Sequence, residues 1–210
     1  MKKIHVGTAA IIQTTVLGLL LCCVGLTSLA EPPETRRVLI KDCGSEDNKW
    51  RGQVSAPQHV LRKILPIDID PADVRAAKLL YRIATDPYYV PTKSYFRGMF
   101  EGVKWDNLLL VVNGKEVLRA PLGEAAIKGW HEVSVPPEVL KQGEIVILFK
   151  HDGSGKGSYY YPARNKDTRG HSARSEDYGN SNTFKTTGGE YIVYLRLEVA
   201  TPPAQRSAFE

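Results

Sequence analysis

Two apolar runs meet at an Asn-Gly pair in the segment Leu108–Leu118, which reads LLLVVNGKEVL. Asn113 and Gly114 both accept a positive φ, so together they favour a two-residue turn whose twist matches that of the flanking strands. The segment therefore predicts a β-hairpin, from which the rest of an antiparallel fold can be built outward.

Further strands are predicted on both sides of the hairpin from the alternation of apolar and polar residues. They are Arg36–Lys41, a strand within Val60–Ile69, Val74–Ala84, Trp130–Val135, Glu144–Lys150 and Tyr191–Val199. Glu144–Lys150 holds a continuous apolar run, which suits a strand buried on both faces. Pro136–Gly143 begins with prolines and ends with glycine, a pattern typical of one helical turn. Short strands separated by turns predict an all-β fold, an antiparallel β-sandwich (jelly roll) with one or two short helical turns.

The first thirty residues have the pattern of a secretory signal peptide. Lys2 and Lys3 form a positive n-region, and an apolar h-region runs over Val16–Leu26. Ser28 and Ala30 place small residues at positions −3 and −1 of a cleavage site. A retained membrane anchor is the alternative, but the apolar core of about eleven residues is shorter than the roughly 20 that a spanning helix needs. We expect no stable membrane span after processing.

The cysteines bear on both the leader and the compartment. Cys22 and Cys23 lie at the end of the h-region, where lipid attachment is another alternative. The bulky Leu21 precedes them, whereas a lipid-attachment site has a small residue at that position. After cleavage only Cys43 remains, so the mature chain cannot form an internal disulfide. We expect a buried or incidental thiol at Cys43 and a secreted or periplasmic protein.

Processing divides the chain into four parts. They are a signal peptide at 1–30, a spacer at 31–35, one β-sandwich domain at 36–200 and a disordered tail at 201–210. The length after the leader is enough for a single domain with its own core. Without the two lysines of the leader, 26 basic and 23 acidic residues remain, a net charge of +3, and they are interspersed. The charge pattern therefore does not indicate a nucleic-acid partner.

The mature chain carries no catalytic motif that the sequence supports. Asp152–Gly157 lacks the first glycine and the hydroxyl residue of a phosphate-binding loop. Gly170–Arg174 lacks the final glycine of a nucleophile elbow. The four mature histidines are widely separated along the chain. We expect a protein without enzymatic activity, and a small hydrolase with an unrecognised site is an alternative.

The long polar stretch His151–Asn182 holds the best candidates for ligand binding, because a loop of this length inside a domain usually has a function. Aromatic faces stack on sugar rings, while Arg and Asp side chains fix hydroxyl groups by directional hydrogen bonds. The predicted ligand-binding residues are Tyr159, Tyr160, Tyr161, Arg164, Asp167, Arg169, His171 and Arg174. The alternative for the three tyrosines is that they pack against a strand edge.

Two smaller groups complete the set of candidates. Trp105 and Trp130 flank the hairpin and are expected in the core. Asp152, Asp167 and Asp177 lie in the same glycine-rich stretch, and oxygen ligands on loops suit Ca²⁺. A calcium ion held there would be structural, and no other cofactor is expected.

From Asn107 to Val199 the pattern resembles the galactose-binding-like β-sandwich of bacterial secreted proteins. The matching segments are the strand end Val112–Gly114, the stretch Val133–Glu144 with its prolines, and the closing Gly189–Leu197. They span roughly half of the mature chain. The resemblance implies binding of carbohydrate or another ligand at loops, often beside a structural calcium, although a fold alone does not fix function.

The sequence thus predicts a secreted, noncatalytic module that binds a glycan or another cell-surface component. The second interpretation is a structural or protein-interaction domain of the cell envelope. Tyr and Arg side chains in a concave surface would favour the first, and a flat apolar patch or an exposed sheet edge the second. Histidines and carboxylates that converge in a deep pocket would favour the hydrolase.

Overall fold

The predicted hairpin lies in a β-sandwich of two antiparallel sheets, which a computed structural model of the chain shows. The structure describes residues 34–44, 50–51, 58–83, 106–125, 128–154, 160 and 162–201. The predicted signal peptide, Trp105, residues 31–33 of the spacer and residues 202–210 of the tail lie outside the described residues. No helix in the described part of the chain has the length and apolar character needed to cross a bilayer.

The described elements are short strands joined by turns. The strands are β1 (Thr35–Lys41), β2 (Trp50–Arg51), β3 (Val60–Ile67), β4 (Val74–Ile83), β5 (Asn107–Val112), β6 (Lys115–Pro121), β7 (Gly129–Val135), β8 (Gly143–His151), β9 (Ala163–Arg164), β10 (Ser172–Ser175), β11 (Lys185–Thr186) and β12 (Val193–Ala200). The helical elements are one short α-helix, α1 (Leu122–Ala125), and 3-10 turns at Pro71–Asp73, Pro137–Val139 and Ser181–Thr183. This confirms the predicted all-β class.

Two large sheets form the two layers. One has four strands in the order β1-β12-β4-β7, and the other has six in the order β11-β10-β3-β8-β5-β6. A separate pair is formed by β2 and β9. All of these pairings are antiparallel. The chain passes between the two large sheets at β3–β4, β4–β5, β6–β7 and β7–β8, an arrangement consistent with a jelly roll.

The hairpin joins β5 to β6, and its turn also forms a hydrogen bond with the 3-10 turn at Pro137–Val139. Asn113 and Gly114 have φ of 48° and 88°, the left-handed conformation that the Asn-Gly pair favours. The Asn113 amide donates from Nδ2 to the carbonyl of Val139 at 2.8 Å, and its Oδ1 accepts from the N–H of Val146 at 2.9 Å. Asn113 therefore links the hairpin to the predicted helical turn and to β8.

The apolar core lies between the sheets and is built from the inward-facing residues of alternating positions. Leu79, Tyr81 and Ile83 of β4 are buried, whereas the residues between them are partly exposed. The Tyr81 ring stacks on His131 at 5.2 Å and meets Phe149 edge-on at 5.6 Å between centroids. Burial raises the pKa of Tyr81 to about 12, since it disfavours the charged phenolate.

The structure corrects three expectations. In β8, Ile145, Ile147 and Phe149 are buried and the residues between them are partly exposed, so this strand is buried on one face and not on both. Trp130, expected in the core, is 42% exposed, because it points outward from the edge strand β7. The stretch His151–Asn182 is not one structureless loop, since it contains β9 and β10.

Candidate functional site

Part of the long polar stretch is fixed by strand pairing at one edge of the sandwich. β10 is hydrogen-bonded between β3 and β11 in the six-stranded sheet. β9 pairs with β2, and Arg164 of β9 also forms an isolated bridge with Tyr191. The backbone of the polar residues on β9 and β10 is therefore held in place by the sheets.

A cleft of about 520 Å³ lies beside β10 and β11 and is lined by charged side chains. Arg164, Arg174 and Lys185 contribute three positive charges, and Glu176 and Asp177 contribute two negative charges. The Arg174 guanidinium donates to the Glu176 carboxylate. The charge of the cleft is therefore positive by one unit when all five groups are ionised.

The remaining polar lining consists of hydroxyl and amide side chains: Asn182, Thr183, Thr186 and Thr187. The hydroxyls of two of them, Thr183 and Thr187, are fixed by hydrogen bonds to nearby residues. The Thr183 hydroxyl lies 2.6 Å from that of Ser175, and the Thr187 hydroxyl donates to the carbonyl of Gly189 at 2.5 Å. These groups donate and accept hydrogen bonds, so the cleft suits a ligand that is rich in hydroxyl groups.

Tyr191 lies behind the arginines of this cleft. Its side chain is completely buried, and its hydroxyl has no hydrogen-bond partner among the described residues. Burial raises the pKa of Tyr191, and the positive charges of Arg164 and Arg174 partly offset this rise. Both guanidiniums line the same cleft and act electrostatically on this phenol.

Tyr178 stands in the turn that leads away from the cleft wall. Its φ is 50°, which is uncommon for a bulky residue, and its side chain is 78% exposed. The turn is held because the Ser175 hydroxyl accepts the N–H groups of Asp177 and Gly179 at 3.1 and 3.2 Å. The Tyr178 N–H donates to the carbonyl of Gln58 at 2.9 Å. An aromatic ring is thus presented to solvent next to a cleft-lining residue.

A second cluster of polar groups surrounds the ammonium of Lys63, which is completely buried. Lys63 Nζ donates to Asp42 Oδ2 at 2.5 Å and to Glu190 Oε2 at 2.6 Å. The Ser172 hydroxyl donates to the same Glu190 oxygen at 2.6 Å, and the His171 N–H donates to Glu190 Oε1 at 3.1 Å. We call Lys63, Asp42, Glu190, His171 and Ser172 the lysine network.

The carboxylates of the lysine network are buried, and their contacts are structural. The side chains of Asp42 and Glu190 are only 4% and 1% exposed, so a substrate in solution does not reach their carboxylates. Lys63 occupies a core-facing position of β3, Asp42 follows β1, and Ser172 begins β10. The network therefore ties the two large sheets together. Its histidine and carboxylates converge around an ammonium, not in an open pocket, and this does not favour the hydrolase.

A close backbone approach holds Glu190 in position. A Cβ atom on Gly189 would lie 1.9 Å from the carbonyl oxygen of Asn165, so only glycine fits there. The Asn165 N–H donates to the Glu190 carbonyl at 3.0 Å, and the Glu190 N–H donates to Asn165 Oδ1 at 3.3 Å. Close packing therefore requires glycine at Gly189, the second residue of the Gly-Gly pair before β12.

The predicted ligand-binding residues lie in different parts of the structure. Arg164 and Arg174 line the cleft. Arg169 and His171 lie beside the buried Asp42 instead, with nitrogen–oxygen distances of 3.6 and 2.9 Å. The structure thus brings two of the predicted arginines together and separates the third.

Asp167 and Tyr160 are not among the described residues that line the cleft. Asp167 accepts from the N–H of Gly44 and from the Asn165 amide. Tyr160 is completely buried in the core, with its ring 5.2 Å from that of His151. Tyr159 and Tyr161 lie outside the described residues.

Sequence reasoning missed Lys185 and the three charged members of the lysine network. Lys63 had a usable signal, because Leu61, Lys63 and Leu65 share one face of an alternating strand and a lysine on that face needs a buried partner. The partners themselves, Asp42 and Glu190, lie far away in the sequence and carry no such signal.

The aspartates named for calcium have separate partners. Asp152 accepts from the N–H and the amide of Asn107 at 3.0 and 2.7 Å and from Arg119 at 3.0 Å. Burial raises the pKa of Asp152, but the hydrogen bonds outweigh it and hold the pKa well below its usual range. Asp167 lies beside Gly44, and Asp177 lines the cleft. Within the described residues, no three His, Cys, Asp or Glu side chains form a group that could hold a metal ion.

Cys43 is buried, as expected, and its thiol lies 3.6 Å from the Tyr194 hydroxyl. Burial raises the pKa of the thiol, so the reactive thiolate is disfavoured at neutral pH. Cys43 is a packing residue.

Comparison with known proteins adds no relative to this description. No model of a known protein family matches the chain, and no curated protein matches it either.

Proposed function

We propose that the protein is a noncatalytic binding module for carbohydrate or another component of an extracellular surface, and that the cleft beside β10 and β11 is its binding site. One observation carries this proposal. A cleft of about 520 Å³ gathers Arg164 and Arg174 with hydroxyl and amide side chains. Its volume falls within the range of about 300–1,000 Å³ that is usual for small-molecule sites.

The chemistry of the lining suits a saccharide. Sugar hydroxyls need partners that donate and partners that accept. Thr186 and Asn182 have both capacities, whereas Thr183 and Thr187 donate to the carbonyls of Asn180 and Gly189 and can still accept. Guanidinium groups add directional donors. The exposed ring of Tyr178 follows the lining residue Asp177 and offers an aromatic face beside the cleft.

The galactose-binding-like family and the secreted or periplasmic location belong to the same proposal. The jelly-roll-like sandwich supports the first, because that family has such a fold. The pattern of the first thirty residues supports the second. A glycan of the cell surface or the medium is then the partner that the protein would meet.

A glycan array tests this function. We would compare the full-length protein with Arg174→Ala and with a matched control, Arg37→Ala, whose exposed side chain lies on the other sheet. Retention on a glycan that Arg174→Ala abolishes and Arg37→Ala leaves intact is the expected result. No retention of the folded protein on any glycan would remove the proposal.

The alternative, a structural or protein-interaction domain of the envelope, has one observation in its favour. Trp130 is 42% exposed on the edge strand β7, and its ring packs against Tyr194 at 5.1 Å between centroids. Glycan retention lost in Trp130→Ala but kept in Arg174→Ala would move the binding site from the cleft to this sheet face. It would refute the cleft as the site.

A further inference from the structure

The strand register places two positive charges opposite each other in the cleft. Arg174 of β10 and Lys185 of β11 are direct cross-strand partners, and both line the cleft. Like charges directly opposite on neighbouring strands destabilise a sheet. A group that binds between them and carries a negative charge would remove this cost.

The carboxylates of the cleft neutralise this pair only in part. Glu176 pairs with Arg174. Lys185 is exposed, and its ammonium has no ion pair or hydrogen bond with the described residues. Asp177 lies near the amide of Asn180, which donates to it at 3.4 Å. Among the described residues, the cross-strand pair Arg174 and Lys185 thus has one ion pair, at Arg174, and the charge of Lys185 on β11 is left without one.

Arg164 adds a third positive group from a different strand pair. It lines the same cleft, and its charge and that of Arg174 both act on the buried Tyr191 phenol. Guanidinium groups bind carboxylates and sulfates through two parallel hydrogen bonds, which makes these contacts both strong and directional. Positive groups on β9, β10 and β11 thus face one space whose other polar lining is two carboxylates and several hydroxyl and amide groups.

We infer that the ligand of this cleft is an acidic saccharide, in which a carboxylate or sulfate group binds at Arg174 and Lys185 and the sugar hydroxyls contact the threonines. This inference rests on the proposed function, since it names the class of glycan that the same cleft takes. Carboxylate and sulfate groups share the negative charge, and the experiment distinguishes between them.

Isothermal titration calorimetry with defined polymers tests the inference. The probes are polygalacturonate for carboxylate, dextran sulfate for sulfate, and unmodified dextran and galactan as neutral references. We expect an acidic polymer to bind and the neutral polymers to bind at least 10-fold more weakly. Loss of one charge-assisted hydrogen bond costs about 10- to 100-fold in affinity, which is the drop expected for Lys185→Gln.

Two controls separate specific binding from general attraction to a basic protein. Arg37→Gln removes an equally exposed charge on the other sheet and should leave the affinity unchanged. The circular dichroism of Lys185→Gln should match that of the parent and its Tm should not be lower, because Lys185 is exposed and its charge opposes that of Arg174. Equal weakening by Lys185→Gln and Arg37→Gln would overturn the inference.

The failure of this inference differs from the failure of the proposed function. Neutral polymers that bind as tightly as acidic ones, with no effect of Lys185→Gln, would refute the acidic ligand and leave a carbohydrate-binding cleft. No binding of any of the four polymers would refute the acidic ligand, and the glycan array would then decide the proposed function. Binding of polygalacturonate alone or of dextran sulfate alone would assign the anion as carboxylate or sulfate.

Discussion

Replacing Lys63 by methionine would remove the fully buried ammonium from a group that holds two carboxylates. Methionine has nearly the same length and is apolar, so the substitution deletes the charge with little change in volume. Lys63 is completely buried and contacts Asp42 and Glu190 at 2.5 and 2.6 Å. The variant would leave Glu190 without the ammonium it binds, whereas Asp42 would keep Arg169 and His171 beside it, at 3.6 and 2.9 Å.

The size of the effect follows from this geometry. Breaking a buried ion pair by removing one partner costs about 3–5 kcal/mol, because the remaining charge stays buried. Glu190 loses its ammonium partner here and Asp42 keeps Arg169, so we expect a loss of about 3–5 kcal/mol. Domains of this kind have a total free energy of unfolding of about 5–15 kcal/mol. The Tm would fall by about 6–20 °C, since 1 kcal/mol corresponds to about 2–4 °C at this chain length.

Lys78→Met is the matched control. Lys78 also forms an ion pair at 2.5 Å, with Glu132, but both side chains are exposed by more than a third. Exposed pairs of this kind contribute about 0–1 kcal/mol. Urea unfolding followed by tryptophan fluorescence would measure both variants. A loss in Lys63→Met that does not exceed the loss in Lys78→Met would refute the reasoning.

A compensating variant separates charge from packing. In the triple variant Lys63→Met, Asp42→Asn, Glu190→Gln the buried charges disappear together, and replacing a whole buried ion group is often close to neutral. We expect it to recover at least half of the stability lost in Lys63→Met. If it is no more stable than the single variant, the loss comes from packing and the electrostatic explanation is wrong.

Three further predictions concern single residues. Gly189→Ala should lower the free energy of unfolding by about 1–3 kcal/mol or more, because its Cβ would meet the Asn165 carbonyl at 1.9 Å. The control Gly188→Ala has open space around it and should change the free energy of unfolding by less than about 0.5 kcal/mol. Equal urea midpoints of the two variants would contradict the close approach. Gly114→Ala should cost about 1 kcal/mol, measured in the same way, because φ at this position is 88°; an unchanged midpoint would show that the turn relaxes. Cys43 should react with a thiol reagent at pH 8 much more slowly in the folded protein than in urea, since burial raises its pKa; equal rates would contradict its burial.

The hairpin and most strands were predictable because their signals are local. Asn113-Gly114 fixes its own turn, and the alternation in Val74–Ile83 is visible within ten residues. The exposure of Trp130 was also visible in the alternation, because Trp130 shares one face of its strand with Glu132 and Ser134, whereas Val133 and Val135 face the core. The cleft was predictable in part: Arg164 and Arg174 belong to the polar stretch, whereas Lys185 joins them through the register of β10 and β11.

Residues of the lysine network are close in sequence to residues of the cleft, so the buried ion pairs also help to position the cleft. Ser172 of the network lies two residues before Arg174 on β10, and its carbonyl accepts the N–H of the cleft residue Thr187 at 2.9 Å. On the other side, Glu190 is adjacent to Tyr191, the bridge partner of Arg164. The ammonium of Lys63 thus fixes the strands that carry both arginines of the cleft. A variant that weakens the network should therefore weaken ligand binding as well, even at temperatures where the protein remains folded.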